Sequence, residues 1–303
     1  MHLKYLIAIA FLLKGNCLFA QKSDCGVRKT YYSLAEALRN KDCVKDFSYR
    51  VRKKEVLSTA VGNLSQLEML DLKSNSFTYL PEEIGRLKQL QHLTLTENHI
   101  RRLPEVISNL DALKFLQADQ NDLIELHPAI GQLKQLEILD LSWNAIATLP
   151  EQIGQVKSLK LFSVSHNHLL SVPESMSKLK ELENLDLSYN ELRELPDAFF
   201  SLDRIKEINL SNNHLETLPE IRSSLKALTT LNLSDNQLQT LPASIVKMKN
   251  IEALILSNNK LAHLPEELHN LKNLKTILLN GNKIPEEEIN KLKAVRPDIT
   301  IIY

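Results

Sequence analysis

Leucine and other apolar residues return along most of the chain at a spacing that does not change. From residue 64 to about residue 285 the same arrangement recurs every 23 residues, with no insertion or deletion. The ten units begin at Leu64, Leu87, Leu110, Leu133, Val156, Leu179, Leu202, Leu225, Met248 and Leu271. A fixed period of this length indicates a solenoid, because each unit buries its apolar face only by stacking on its neighbours.

Each unit is predicted to hold one strand and one short helical turn. In residues 179–201, Leu185 and Leu187 alternate with polar residues, which is the period of two that a strand with one buried face shows. Farther on, Leu195 is followed by Pro196, and proline suits the first position of a helical turn, where its missing N–H would be unpaired anyway. We therefore expect a parallel sheet on one side of the solenoid and short turns on the other.

An asparagine stands at one fixed position in all ten units. These residues are Asn75, Asn98, Asn121, Asn144, Asn167, Asn190, Asn213, Asn236, Asn259 and Asn282. A buried polar group without a partner costs about 1–3 kcal/mol, so we expect each amide to bond to the backbone of its own turn and of the adjacent coil. In the third unit His127 replaces the proline and Pro128 follows it, so a local change of that turn is expected.

The unit 179–201, LKELENLDLSYNELRELPDAFFS, resembles the leucine-rich-repeat family in its LxxLxLxxNxLxxLPxxI form, and the resemblance extends over residues 64–285. It implies an α/β solenoid, a horseshoe with a concave parallel β-sheet and short helical or 3-10 turns on the convex side. It also implies a non-catalytic protein–protein interaction module. Repeats of this type occur in intracellular signalling scaffolds and in bacterial surface or secreted proteins.

The N-terminal end of the solenoid is expected to be closed by a cap. Residues 41–63 keep the apolar spacing but have Arg52 at the asparagine position, which indicates a degenerate first repeat. Residues 21–40 precede it, and Ser33 and Glu36 have the spacing of a capping box that opens a cap helix. This helix would cover the apolar end of the first coil.

The C-terminal end is expected to be closed by residues 286–303. A longer helix is predicted from Glu286 to Val295, followed by an edge strand over 299–303. No anchor or second domain is expected beyond it, so the function is expected to reside in the solenoid.

The first twenty residues have a different pattern from the rest. A positive charge at Lys4, the apolar run Tyr5–Leu13 and the small residue Ala20 have the order of a secretory signal peptide cleaved after residue 20. That run is too short to cross a bilayer, which requires about 20 residues. We therefore expect a secreted, periplasmic or surface protein. The alternatives are a buried helix of a cytoplasmic protein and a lipid anchor on Cys17, whose flanking residues are unfavourable for lipidation.

Two cysteines, Cys25 and Cys43, remain after removal of such a signal. An even pair in an exported protein favours a disulfide over two buried free thiols. Closing a loop of this length stabilises by roughly 3 kcal/mol in the chain-entropy model.

Three consecutive rings occupy the column that precedes the asparagines, and neighbours in a column lie about 5 Å apart. Aromatic side chains surrounded by polar groups are typical of interface hot spots. The candidate partner-binding residues are the three rings and their neighbours, Trp143, His166, Tyr189, Asp140, Asp186 and Phe115. The alternative is structural, because Ser-Tyr-Asn and Ser-Trp-Asn are common fillers of this repeat.

A second candidate surface is apolar and lies near the C-terminal end of the inner sheet. It consists of Ala253, Ile255 and Leu278. It is interpreted either as a minor contact or self-association site, or as residues that merely adjoin the cap. The protein is expected to be a monomer.

The balanced charge and the lack of catalytic motifs narrow the classes of function that the sequence allows. Lys plus Arg equals Asp plus Glu at 37 each, so no field favours nucleic acid. No hydrolase, metalloprotease or nucleotide-binding motif is present. His166 and His168 flank Asn167 but lack the three or four converging ligands of a zinc site. Asp140 and Asp186 lie two coils apart, roughly 10 Å by the strand spacing, with no environment evident that would raise a pKa.

The sequence therefore predicts a non-enzymatic protein without cofactor or metal. Its leading predicted partner is another protein, bound on the concave face. The alternative partner is a carbohydrate or cell-wall polymer that stacks on Trp143 and Tyr189. Loss of a glycan-array signal on Trp143→Ala would favour the alternative.

Overall fold

A computed structural model of the chain describes residues 25–50 and 55–303. The signal peptide predicted for residues 1–20, the lipid anchor considered at Cys17 and the predicted role of Arg52 lie outside these residues.

Thirteen short strands in the described part of the chain form one parallel sheet, and their order in the sheet is their order in the sequence. The strands, β1 to β13, are Thr30–Tyr31, Asp46–Ser48, Met69–Asp71, His92–Thr94, Phe115–Gln117, Ile138–Asp140, Leu161–Ser163, Asn184–Asp186, Glu207–Asn209, Thr230–Asn232, Ala253–Ile255, Thr276–Leu278 and Thr300–Ile302. Equivalent residues of successive repeats lie opposite each other, as Leu139 and Phe162 do. The predicted parallel sheet is confirmed.

Short 3-10 helices lie between the strands in most repeats. In the described residues they are Lys41–Cys43, Thr59–Asn63, Glu82–Arg86, Glu105–Asn109, Pro128–Gln132, Glu151–Gln155, Glu174–Lys178, Ala243–Lys247 and Glu266–Asn270. The α-helices are α1, Leu34–Arg39, and α2, Glu286–Val295. Neither is long and apolar enough to cross a membrane, and no other helix of the described ranges is. The predicted horseshoe with 3-10 turns on its convex side is thereby confirmed.

Apart from Pro128, the prolines next to the described 3-10 helices precede these helices and do not begin them, which corrects the sequence prediction. Pro104 has φ −66° and ψ 148°, an extended conformation, and the helix starts at Glu105. The fixed φ of proline fits this N-cap position, and an acidic first residue is favourable near a helix N-terminus. In the third unit the His127 Nδ1 accepts a hydrogen bond from the Ala129 N–H at 3.2 Å. The helix Pro128–Gln132 keeps the common length, and the expected local change is at its N-terminus, where His127 caps the helix and Pro128 is the first residue.

The predicted asparagine ladder is confirmed. The Asn98 amide nitrogen donates to the carbonyls of Leu95, in its own turn, and Leu72, in the preceding coil, at 2.8 and 2.9 Å. The Asn98 amide oxygen accepts from the Phe77 N–H at 3.1 Å. The same three bonds recur up to Asn282. Each asparagine thus joins two coils and satisfies backbone groups that the turn would otherwise leave unpaired.

The N-terminal cap differs in part from its prediction. A disulfide joins Cys25 to Cys43, with a Cα–Cα distance of 5.2 Å, as predicted. The strand β1, which the sequence did not predict, extends the sheet by pairing with β2. Helix α1 forms, but the Ser33 side chain makes no capping bond. Glu36 pairs instead with Lys29 at 3.1 Å, so the predicted capping box is wrong.

The predicted C-terminal elements are present. Helix α2 runs from Glu286 to Val295, and Ile289 is its buried residue. The final strand, β13, pairs in parallel with β12. Leucines and isoleucines of all the repeats join in one continuous core between the sheet and the 3-10 helices.

Candidate functional site

The residue before each asparagine lies in a left-handed turn at the end of its strand. Trp143, His166 and Tyr189 have φ values of 56°, 53° and 54°. Bulky residues seldom adopt this conformation, but the turn is fixed on both sides. The Trp143 N–H donates to the Ser165 carbonyl of the next coil at 2.9 Å, and the His166 N–H donates to the Ser188 carbonyl at 2.9 Å. The turn therefore repeats from coil to coil and holds the three side chains in register.

The three rings form a continuous stack. The ring centroids of Trp143 and His166 are 3.7 Å apart with an interplanar angle of 12°. Those of His166 and Tyr189 are 4.0 Å apart with an angle of 11°. Trp143 remains 53% exposed and Tyr189 45% exposed. The stacking expected from the sequence is therefore present, and it presents large apolar surfaces whose side chains are already ordered.

Phe115, the fourth predicted aromatic residue, is not part of the stack. It begins β5, whereas Trp143 follows the end of β6, so the two residues lie at opposite ends of their strands. Phe115 stacks on His92, with ring centroids 4.2 Å apart. Burial lowers the pKa of His92, and the nearby charges of Lys114 and Arg28 lower it further.

A hollow of about 410 Å³ lies in the concave face beside Trp143. Asp140 and Asp186 lie in it, and their carboxylates have the same local partners. The Asp140 Oδ1 accepts hydrogen bonds from the Ser142 N–H at 3.0 Å and from the Ser142 hydroxyl at 2.6 Å. The Asp186 Oδ1 accepts the equivalent pair from Ser188 at 3.0 and 2.6 Å. The predicted residues Trp143, Asp140 and Asp186 are therefore brought together at one concavity.

Sequence analysis missed Asp119, which also lines the hollow. It lies two residues before Asn121, just past the end of β5. The Asp119 Oδ1 accepts a hydrogen bond from the Thr96 hydroxyl at 2.6 Å, and burial raises its pKa. The signal in the sequence is the alternation itself, because the strand pattern continues for one more outward-facing position beyond the strand.

The environment of Asp140 corrects another expectation from the sequence. Burial, together with the negative charges of Asp119 and Asp186, raises the pKa of Asp140 to about 6. The hydrogen bonds from Ser142 act in the opposite direction and do not offset this effect. An environment that raises a carboxyl pKa is therefore present on the concave face.

This environment predicts a pH-dependent stability. The ordinary pKa of Asp140 is 3.8 and the folded value is about 6, so the folded chain binds this proton more tightly than the unfolded chain. The stabilising contribution of this bound proton to folding is fully present below about pH 4 and is lost as the pH rises through about 6. We expect Asp140→Asn to raise the free energy of unfolding by about 1–3 kcal/mol at pH 7.5. At pH 4 the variant and the parent should have equal stability, and a gain of equal size at both pH values would contradict this assignment. Urea unfolding curves measure both quantities.

The two histidines that flank Asn167 do not converge on a metal-binding arrangement. His168 pairs with Glu191, at 3.0 Å between Nδ1 and Oε1, whereas His166 lies within the ring stack. In residues 25–50 and 55–303 no group of three or more His, Cys, Asp or Glu side chains is placed to hold a metal ion.

The apolar surface predicted near the C-terminal end lies on adjacent strands. Ala253 and Ile255 are on β11, Leu278 is on β12, and all three side chains are half-buried. Ile302 of β13 lies beside Leu278 and is 51% exposed. A role for this surface in contact or self-association stays a prediction.

Short parallel strands, an asparagine ladder and convex 3-10 turns define a solenoid protein with an open concave face. Models of leucine-rich repeats match almost the whole repeat array. The model described as a leucine-rich repeat region matches residues 38–125 and 108–191, and other leucine-rich-repeat models match residues 181–202, 203–245 and 226–284. The chain therefore belongs to the leucine-rich-repeat family, whose members are in general interaction modules without enzymatic activity.

Three solved structures illustrate the similarity. A leucine-rich-repeat protein of Leptospira interrogans is 26% identical, with 91% of this chain and 100% of that chain covered and a TM-score of 0.53. The plant peptide hormone receptor RGFR1, in complex with RGF2, is 26% identical over 90% of this chain and 45% of that chain, with a TM-score of 0.76. YopM, a leucine-rich effector protein from Yersinia pestis, is 30% identical over 72% of this chain and 56% of that chain, with a TM-score of 0.60. No curated protein sequence gives a significant match.

Proposed function

We propose that the chain is a binding module that holds another protein on its concave face. The observation that carries this proposal is the exposed stack of Trp143, His166 and Tyr189 beside a hollow of about 410 Å³. Aromatic side chains are enriched at interface hot spots. Because the stack is already ordered in the free chain, a partner would gain contact area with little loss of side-chain entropy.

Polar groups around the stack supply specificity to this interface. Asp140 and Asp186 line the hollow next to Trp143, and Phe115 offers a second aromatic contact on the same face together with His92. The structure of the plant receptor RGFR1, to which this chain is similar, was determined in complex with RGF2. This similarity supports a role in macromolecular recognition for this chain. The proposal includes a monomeric solenoid, with the surface at Ala253 free for a minor contact.

We also propose that the protein works outside the cytoplasm. The disulfide between Cys25 and Cys43 supports this location, since disulfides persist in oxidising compartments and are rare in the cytosol. The order of charge, apolar run and small residue before Gln21 supports export by a cleaved signal peptide.

A carbohydrate partner is the second candidate, and the position of Trp143 favours it. This ring lines a hollow whose other walls include Gln117, Asn184 and Asp186. An indole with amides and carboxylates beside it can hold a sugar by stacking and by hydrogen bonds to hydroxyl groups. Binding of purified polysaccharide that disappears in Trp143→Ala, with no protein captured, would favour this candidate.

Hydroxyl-radical footprinting tests the protein-binding proposal directly. A protein captured from the native medium is first identified by mass spectrometry and produced separately. Its addition should slow the oxidation of Trp143 and Tyr189, which are 53% and 45% exposed. Tyr79 is 49% exposed and lies outside the stack, so it serves as the internal reference. Unchanged oxidation of both stack residues in the saturated complex would contradict the proposal.

A further inference from the structure

Carboxylates at the N-terminal end of the concave face are neutralised by cations of the chain itself. Arg28, in the cap, donates to Asp46 at 2.5 Å and to Glu68 at 2.9 Å. Arg50, at the end of β2, pairs with Asp71 at 2.9 Å. The cap thus shows how a guanidinium lies on this surface, between carboxylates of neighbouring coils.

The carboxylates in the middle of the same face have no such partner. Asp140 and Asp186 occupy the strand position of Asp71, and they lie in register on either side of Ser163. In the described residues none of the ion pairs involves Asp140 or Asp186. Lys73 also lines the hollow, but it pairs with Glu97 at 3.3 Å.

Asp186 is the most buried of the carboxylate residues that line the hollow. Its side chain is only 7% exposed and lines the hollow. Both of its hydrogen bonds reach Oδ1, and within residues 25–50 and 55–303 its Oδ2 receives none. Buried charges in proteins are normally paired as well as hydrogen-bonded, so a cation from outside the chain would complete this arrangement.

We propose that the hollow binds the guanidinium of an arginine in a basic segment of the partner protein. The inference rests on the proposed function and adds the chemistry of the partner. The guanidinium lies over Ser163, where it can donate to Asp140 and Asp186, and its plane contacts the Trp143 ring. Arginine fits better than lysine because its planar fork pairs with carboxylates and stacks on aromatic rings. A hollow of about 410 Å³ admits a side chain of this size but not a folded domain.

The electrostatics of the hollow agree with a cationic occupant. The charged groups next to Asp140 are Asp119 and Asp186. Lys73 lines the same hollow and acts on Asp119, and the His166 ring lies in the adjacent stack. Burial, and repulsion by the two neighbouring carboxylates of Asp119 and Asp186, raise the pKa of Asp140 to about 6. A bound guanidinium offsets both the burial and the repulsion of the Asp140 charge. Below about pH 6 Asp140 becomes protonated and loses the charge that pairs with the guanidinium, so binding should weaken.

Fluorescence anisotropy with synthetic nonapeptides tests the proposal. The probe has three arginines separated by glycine and serine, and the matched peptide has citrulline, a neutral isostere, in place of each arginine. At pH 7.5 and low salt we expect the arginine peptide to bind at least tenfold more tightly than the citrulline peptide. The double variant Asp140→Asn/Asp186→Asn, and separately Trp143→Ala, should each weaken binding at least fivefold. At pH 5 the parent should bind more weakly than at pH 7.5.

The matched control is Glu220→Gln, an exposed carboxylate outside the hollow, which should leave peptide binding unchanged. Urea unfolding shows whether each variant is folded. Equal binding of the two peptides, or equal loss in the control and the Asp140→Asn/Asp186→Asn variant, would overturn the proposal. If the captured protein protects Trp143 and Tyr189 from oxidation while the arginine peptide fails to bind, this inference is wrong and the proposed function stands. If the captured protein gives no protection and the arginine peptide does not bind, both this inference and the proposed function are wrong.

Discussion

Asn167→Ala is expected to lower the free energy of unfolding by about 3 kcal/mol. The Asn167 amide nitrogen donates to the carbonyls of Leu141 and Val164 at 3.0 and 3.1 Å, and the amide oxygen accepts from the Ile146 N–H at 2.9 Å. Alanine removes these bonds and leaves the buried Ile146 N–H without its partner, at about 1–3 kcal/mol, whereas the Leu141 and Val164 carbonyls each keep one bond, from Asn144 and Asn190. The two bonds lost at these carbonyls add about 0.5–1.5 kcal/mol each. Urea unfolding followed by circular dichroism measures the change.

The control for this variant is Asn270→Ala, which changes an exposed asparagine at the end of a convex 3-10 helix. Surface substitutions of this kind usually change stability by less than about 0.5 kcal/mol. A loss below about 1 kcal/mol for Asn167→Ala would mean that the ladder does not hold the coils together. Asn167 and Asn190 both donate to the Val164 carbonyl, at 3.1 and 3.0 Å. The double variant with Asn190→Ala removes both of these bonds, so it should lose more than the sum of the two single changes.

The repeating part of the fold could be predicted because one rule applies to every coil. The leucine at position 139 and its equivalents fix which face of each strand is buried, and the asparagine at position 144 and its equivalents have few ways to satisfy their amides. A fixed period converts both constraints into a stack, since each strand must pair with the equivalent strand of the next repeat. The sheet order, the ladder and the ring stack all follow from this period.

The cap and the turn geometry depend on contacts that the period does not specify. The spacing of Ser33 and Glu36 is that of a capping box, but the structure pairs Glu36 with Lys29, a partner that comes before the helix. Proline at position 104 satisfies both an N-cap and a first helical position in sequence, and only its extended ψ distinguishes them. Local patterns thus permit more than one arrangement, and tertiary contacts select one.

The hollow could be predicted only in part. Asp140 and Asp186 can be predicted because they lie in one column near the rings, whereas Asp119 belongs to the column between that one and the rings, past the strand end. Coil spacing groups Phe115 with the rings because it precedes them by one coil, although it lies at the other end of its strand. Coil spacing gives distances along the solenoid. The raised pKa of Asp140 depends on burial across coils, which a one-dimensional pattern does not contain.

The double variant Trp143→Ala/Tyr189→Ala is expected to weaken the partner's binding at least 100-fold. Each ring supplies an anchor of the kind that costs about 2 kcal/mol or more on truncation at an interface hot spot, and a tenfold change in affinity corresponds to about 1.4 kcal/mol. Both residues are about half exposed in the free chain, so the core loses little and the melting temperature should stay nearly unchanged. Both substitutions keep a non-glycine residue in the left-handed turn, so they neither add nor relieve backbone strain.

Isothermal titration of the partner against the parent chain, the double variant and Tyr79→Ala shows whether the ring stack on the concave face is the binding site. Tyr79 has an exposure of 49%, close to the 45% of Tyr189, so its loss removes a similar surface outside the stack. We expect unchanged affinity for Tyr79→Ala and at least a 100-fold loss for the double variant, with all three proteins equally stable. Undiminished affinity of the double variant, or an equal loss in Tyr79→Ala, would contradict a binding site on the concave ring stack.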